Sequence, residues 1–194
     1  MSDSYDVLIV GIGGQGTILA SNILGNACLA GEMPVRGVET HGMAQRGGSV
    51  ESHVRIGGRH GPLIPAGGAD LMIALDLLEA VRYRHYLKPD GQIIVNDRTV
   101  VPTSVFTARL QMPSREDLIA ALDGYRITVI DAEALAAEAG NPIVGNVVML
   151  GAASRHLPLG EQLLRDAVAR SVPKKTQELN LKAFDLGRAA AAFE

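Results

Sequence analysis

The chain has 194 residues, 47% hydrophobic and 20% charged, with a formal net charge of −3 and only 4% aromatic residues. That is enough apolar material for one globular domain with a real core, and too much for a disordered chain. The acidic balance and the scarcity of rings argue against a nucleic-acid surface, which would show a basic stripe or a stacking platform.

In chain order, "YDVLIV" (5–10) is short, apolar and β-branched, as a buried parallel strand should be. It runs into "GIGGQG", four glycines within six residues, and then into a helical pattern with Ile18, Leu19, Ile23, Ala27 and Ala30 on one side and Gly31 as its stop. "PVRGVET" (34–40) and "SVESHVRIG" (49–57) read as strands. The second alternates Val50, Ser52, Val54 and Ile56 against Glu51, His53 and Arg55. A Gly/Pro-rich loop (57–70) leads to strand "DLMIALD" (70–76), helix "LLEAVRYRHYL" (77–87), a turn at "KPDG" and strand "QIIVND" (92–97). Helix 114–125, strand 126–131 and helix 132–140 continue the cycle. Such alternation predicts a mainly parallel, Rossmann-like α/β sheet with helices on both faces. After Asn141 strands stop, and three helices joined at Pro158 and Pro173 form a C-terminal helical tail. The expected organisation is one domain over 1–194, with an α/β core at 1–140 and the tail at 141–194.

Cys28 is the single cysteine. It cannot close an internal disulfide or supply a four-cysteine iron–sulfur or zinc site, and its place among Ala and Leu suits a buried small hydrophobe. His41 and His53 lack a third partner at metal-ligand spacing, so no metal site is expected, and His60, His85 and His156 read as surface residues. No signal peptide and no stretch of ~20 apolar residues is apparent, which points to a soluble, cytoplasmic protein without a membrane partner.

Gly11, Gly13 and Gly16 satisfy G-x-G-x-x-G after a strand and before a helix. Glycines permit the turn and close backbone approach, and a helix N-terminus offers free N–H groups to an anion. Two readings stay open: an anion- or nucleotide-binding loop through Gly11, Gly13, Gly14, Gln15 and Gly16, or a tight strand-to-helix crossing without a ligand. An NAD(P)-dependent enzyme would need an acid near the end of the second strand. Glu39 stands roughly there, but no acid–base residue or substrate domain accompanies it. No catalytic residue stands out in this chain. "HGMAQRGGSV" (41–50) presents His41, Gln45 and Arg46 beside Gly47 and Gly48, either a second anion-binding turn or a solvated loop.

Taken jointly, "GIGGQGTILAS" and "ETHGMAQRGGSVESHVRIG" resemble the gamma-type subunits and domains of the 2-oxoacid:ferredoxin oxidoreductases, and within them the indolepyruvate type. "PLIPAGGADLMIALDLLEA", "YLKPDGQIIVN", "NVVMLGA" and "ELNLKAFDLG" agree, so the resemblance spans nearly the whole chain. It implies oxidative decarboxylation of a 2-oxoacid on thiamine diphosphate, electron transfer through iron–sulfur clusters to ferredoxin, and acyl transfer to coenzyme A. One cysteine and no recognisable thiamine-binding "GDG…N" stretch imply that thiamine and clusters belong to a larger partner subunit. For this chain the resemblance implies no tightly bound cofactor, packing against that partner, and coenzyme A contact at the interface through the glycine loop and Arg46, Gly47 and Gly48.

Overall fold

The structure is a computed structural model that describes residues 4–41, 48–58, 61–102, 105, 107 and 111–192. Strand β1 (Ser4–Ile12) leads through the glycine turn into helix α1 (Thr17–Ala30). Strands β2 (Val35–His41), β3 (Ser49–Gly57) and β4 (Ala69–Ala74) follow, then helix α2 (Leu77–Tyr83), a 3-10 turn at Arg84–Tyr86 and strand β5 (Leu87–Asn96). Helix α3 (Arg115–Ala120), strand β6 (Arg126–Ile130) and helix α4 (Ala132–Ala139) come next. Helices α5 (Gly145–Ala153), α6 (Glu161–Ser171) and α7 (Gln177–Ala190) end the described chain.

These strands form one six-stranded sheet in the order β2-β3-β1-β4-β5-β6. β1, β4, β5 and β6 are mutually parallel, whereas β3 runs antiparallel to both β1 and β2. Alternate residues of β1 feed two cores, as a strand covered on both faces requires. Val7 and Ile9 join the core built with α1 and α4 to α7, and Leu8 and Val10 join the one built with α2 and α3. The C-terminal helices are integral to the first core, since Val147 to Ala153 of α5 are buried without a break.

Three local differences from the sequence expectation have plain causes. Helix 77–87 stops at Tyr83, because Leu87 is drawn into the sheet beside Ala69 and Pro89 disfavours helical backbone at Lys88. "KPDG" is not a turn ahead of the strand. It lies within β5, where the register shifts between the Ala69–Leu87 and Leu71–Gln92 pairs. Helix 114–125 shortens to α3 with a full capping box, Ser114 and Asp117 exchanging bonds at its start.

Helices α5 and α7 meet at backbone distance. A Cβ on Gly151 would overlap the Phe184 carbonyl, and one on Gly187 would overlap the Val148 carbonyl. Gly151→Ala and Gly187→Ala are each expected to destabilise the fold by about 1–3 kcal/mol in urea titrations, because the helices must separate. Gly25→Ala on α1, where an added Cβ meets nothing within 4 Å, should be neutral or stabilise by up to about 1 kcal/mol. Equal signs for all three would contradict the close crossing.

Candidate functional site

The glycine turn joins the carboxyl end of β1 to α1. Gly14 and Gly16 adopt left-handed backbone, φ 102° and 85°, and Gly16 is the N-cap of α1 with no side-chain cap. Gln15 folds back over the turn. Its Oε1 accepts from Ile12 N at 2.7 Å, and its backbone N–H donates to Ile12 O at 3.0 Å. The Gln15 Nε2 is buried without a hydrogen-bond partner. Gly11 is closed in by Gln15 Oε1 and Leu75 Cβ, which a Cβ would approach to 2.8 and 3.1 Å. Its role in the turn is packing.

Asn146, at the start of α5 and 130 positions away, completes the turn by donating Nδ2 to Gly16 O at 3.1 Å. A Cβ on Gly16 would come within 2.5 Å of that same nitrogen. Gly16 therefore answers to two constraints at once, left-handed backbone and contact with Asn146. Nothing in the local pattern of either segment announces this pairing.

The antiparallel β3 brings the second glycine segment alongside. Ile12 pairs with Ser49, and Gly13 donates its N–H to Gly48 O at 2.8 Å. Gly48 thus sits against the first loop, whereas Gln45, Arg46 and Gly47, with the His41 side chain, lie outside the described residues.

Gly13, Gly14 and Gln15 line a cavity of about 510 Å³ that Gly11, Gly16 and Gly48 do not line. It opens beyond the carboxyl ends of β1, β4 and β5, where α1 and α2 depart to opposite faces of the sheet. Such a crevice is where open α/β sheets bind ligands. Its other walls include Asn96, Arg98, Glu133, Ile143 and Asn146, all absent from the sequence-level candidates. Asn96 is committed to structure, donating to Leu75 O at 3.3 Å and accepting from Ala132 N at 3.0 Å. Arg98 is ion-paired with Glu133 at the rim.

Glu39 is elsewhere. Because β3 intervenes, β2 is the sheet edge and not the neighbour of β1. Glu39 accepts from Ser21 Oγ at 3.0 Å and lines a separate cavity of about 340 Å³. The ribose-binding acid of a dinucleotide fold is not beside this glycine turn. Cys28 is fully buried, and burial pushes its thiol up to about 11, so it is an inert core residue. Among the described residues no cluster of three or more His, Cys, Asp and Glu suits a metal ion, and no helix is long and apolar enough to cross a membrane.

Behind the second glycine segment β3 carries buried polar groups. Arg55 holds Asp6 through two bonds of 3.0 and 2.9 Å, and its Nη1 donates to Gly61 O at 3.0 Å. His53, 1% exposed, accepts at Nδ1 from Ile64 N at 3.2 Å, so the ring proton belongs on Nε2. That nitrogen has no hydrogen-bond partner, and Glu51 Oε1 stands 3.9 Å away. His85, by contrast, is an exposed ring stacked on Tyr83 and tilted against Tyr86.

Comparison with known proteins agrees over nearly the whole length. The sequence profile of the family described as pyruvate ferredoxin/flavodoxin oxidoreductase matches residues 6–190. The indolepyruvate oxidoreductase subunit IorB of Archaeoglobus fulgidus is 39% identical over 186 residues, covering 94% of this chain and 92% of that one. The keto/oxoacid ferredoxin oxidoreductase gamma subunit of Geobacter sulfurreducens superposes with a TM-score of 0.72 at 28% identity, covering 96% of this chain and 98% of that one. The 2-oxoglutarate:ferredoxin oxidoreductase of Magnetococcus marinus, solved with 2-oxoglutarate, coenzyme A and succinyl-CoA bound, shares the fold with a TM-score of 0.76 at 21% identity, over 98% of this chain and 31% of that one.

The His53 geometry makes stability depend on pH. Burial holds the imidazole below its ordinary 6.5, with Glu51 opposing and Arg55 reinforcing. A depressed histidine stabilises the fold above the unfolded value and loses that contribution as pH falls below about 6.5, because a second ring proton displaces the Ile64 bond. His53→Asn keeps an acceptor at the Nδ1 position and cannot titrate. Urea denaturation at pH 7.5 and 5.0 should show a steeper acid loss in the wild type, by at most about 1.4 kcal/mol per pH unit. Identical pH slopes would contradict a buried neutral His53.

Proposed function

Because the chain belongs to the pyruvate ferredoxin/flavodoxin oxidoreductase family, we propose that it is the small, cluster-free subunit of a 2-oxoacid:ferredoxin oxidoreductase acting on indolepyruvate and related arylpyruvates. The observation that carries this reading is the near full-length identity to an indolepyruvate oxidoreductase subunit, in a chain whose one cysteine is buried and inert. The complex turns a 2-oxoacid and coenzyme A into carbon dioxide, an acyl-CoA thioester, a proton and two electrons, which pass to ferredoxin.

In this reading a larger partner subunit holds thiamine diphosphate and the iron–sulfur clusters, and performs the decarboxylation and electron transfer in the cytoplasm. The present chain contributes no catalytic residue. The whole of 1–194 acts as one gamma-type domain that packs on the partner and meets coenzyme A. Gly13, Gly14 and Gln15 form one side of that contact, presented by the turn that Gly11 and Gly16 shape, and Arg46, Gly47 and Gly48 belong to the second segment. Three features support the assignment. The glycine turn borders an open cavity, Gly48 is bonded to Gly13, and a chain of the same fold is part of an enzyme solved with coenzyme A bound.

The purified chain should be colourless and should reduce no viologen with any 2-oxoacid, and adding the larger subunit should restore reduction with indolepyruvate or phenylpyruvate. Arg46→Lys in the reconstituted complex should raise the coenzyme A KM or the subunit Kd about ten- to a hundredfold, since a planar charge-assisted contact is lost. An iron–sulfur chromophore in the chain alone would overturn the division of labour. Unchanged KM and Kd would remove Arg46 from the interface.

A further inference from the structure

Helix α1 carries no charged residue in its 14 positions, although it lies at the surface. Ile23, Leu24, Ala27 and Cys28 commit its inner face to the first core. Its outer face presents Ile18, Asn22, Asn26 and Leu29, and Ile18 and Leu29 are 46% and 67% exposed. The water-facing side of a surface helix is ordinarily charged. Exposed aliphatic side chains without charges among them have the composition of an interface core.

Beside α1 runs β2, the edge of the sheet. Gly57 N donates to Pro34 O at 2.7 Å, and the alternation of an antiparallel ladder then turns the N–H and C=O groups of Val35, Gly37 and Glu39 outward. Exposed edges are ordinarily blunted by a lysine, a bulge or a proline within the strand, and β2 has none of the three. The 340 Å³ cavity is the groove between β2 and α1. Gly25 and Gly37 line its two walls, where a Cβ on Gly25 would meet nothing within 4 Å and one on Gly37 only His53 O at 3.6 Å. Glu39 is the one carboxylate in the lining. It takes the Ser21 hydroxyl, and none of the described ion pairs includes it. Ser52, its neighbour across the ladder, is fully buried with its hydroxyl unpartnered. The fold leaves polar capacity unused at that end of the groove.

We infer that the β2 edge and the outer face of α1 receive an extended segment of the larger partner subunit. The segment adds a strand beside β2, lays an apolar side chain between Gly25 and Gly37, and brings a lysine or arginine to Glu39. The inference rests on the subunit reading and names the surface on which the partner packs. Charge complementarity selects the partner over a second copy of this chain. Two-fold pairing would set the patch against itself, and its lining holds Glu39 but no lysine or arginine to answer it. The same carboxylate therefore opposes self-pairing of an open edge and favours a basic partner. No residue lines both this groove and the crevice beside the glycine turn, so assembly and ligand contact are separable.

The test titrates the fluorescently labelled full chain with the larger subunit, at low and high salt, and follows residue-resolved amide exchange in β2. Gly25→Met fills the groove and should raise the subunit Kd about tenfold or more, with the Tm of the chain unchanged or higher because methionine favours the helix. Leu29→Asp should raise Kd severalfold. Glu39→Gln should do the same and flatten the salt dependence, since the screened pair is gone. Exchange at Val35, Gly37 and Glu39 should be fast in the chain alone and slow in the complex. Normal assembly of the Gly25→Met chain, with those three amides still exchanging freely, overturns the docking surface and leaves the subunit reading standing. Self-association of the chain alone that Gly25→Met abolishes overturns the choice of partner in favour of a second copy. If no complex forms and no oxoacid-dependent viologen reduction is restored, the subunit reading falls and this inference falls with it.

Discussion

Where α5 crosses α7, Gly151 faces the Phe184 carbonyl and Gly187 faces the Val148 carbonyl, with no room for a Cβ on either side. This contact draws α5 into the first core, where its residues from Val147 to Ala153 are shielded from water. The N-terminus of α5 is thereby set beside the glycine turn, and Asn146 reaches Gly16 O. Gly16 then has to be both left-handed and bare, and the turn it ends becomes a wall of the cavity. A helix pair at one side of the molecule thus determines the shape of a loop at the end of the sheet. The cost of misplacing α5 falls on the site as much as on stability.

Much of the architecture is legible locally. β1 and α1 announce themselves by a β-branched run and a glycine turn, although the buried face of α1 runs through Ala20, Ile23, Leu24, Ala27 and Cys28 and leaves Ile18 and Ala30 of the expected stripe exposed, and β3 matches its expected span of 49–57. What local pattern does not carry is the neighbour each element finds. The insertion of antiparallel β3 between β1 and β2 follows from no motif, and it moves Glu39 away from the place a dinucleotide fold would give it. The same limit hides Asn146 and the Arg98–Glu133 pair, whose partners lie 130 and 35 positions apart. One readable signal was available for Asp76, since "DLLE" places an acid at an N-cap and another three residues on. That signal identifies a helix start. It does not reveal that the second carboxylate oxygen would hold Val100.

The glycine turn illustrates how one motif serves several purposes. Gly11 is there for packing, Gly16 for backbone geometry and its contact with Asn146, Gly13 for the bond to Gly48, and Gly14 leaves open space. Only part of the motif faces the cavity, so matching G-x-G-x-x-G says little about what is bound. The division of labour proposed for the complex follows the same logic. A chain with an inert cysteine and, among the described residues, no acid–base pair at its crevice can position a ligand and a partner surface, which leaves the proposed redox chemistry to the partner.

We propose that coenzyme A meets this chain at the crevice beside the glycine turn. Hydrogen–deuterium exchange of the reconstituted complex, with and without saturating coenzyme A, tests it most directly. Slowed exchange is expected at residues 13–17, 98–101 and 142–146, three segments that meet at the cavity. Protection confined to the β2 edge and the outer face of α1, or no change anywhere in this chain while the partner subunit is protected, would contradict it.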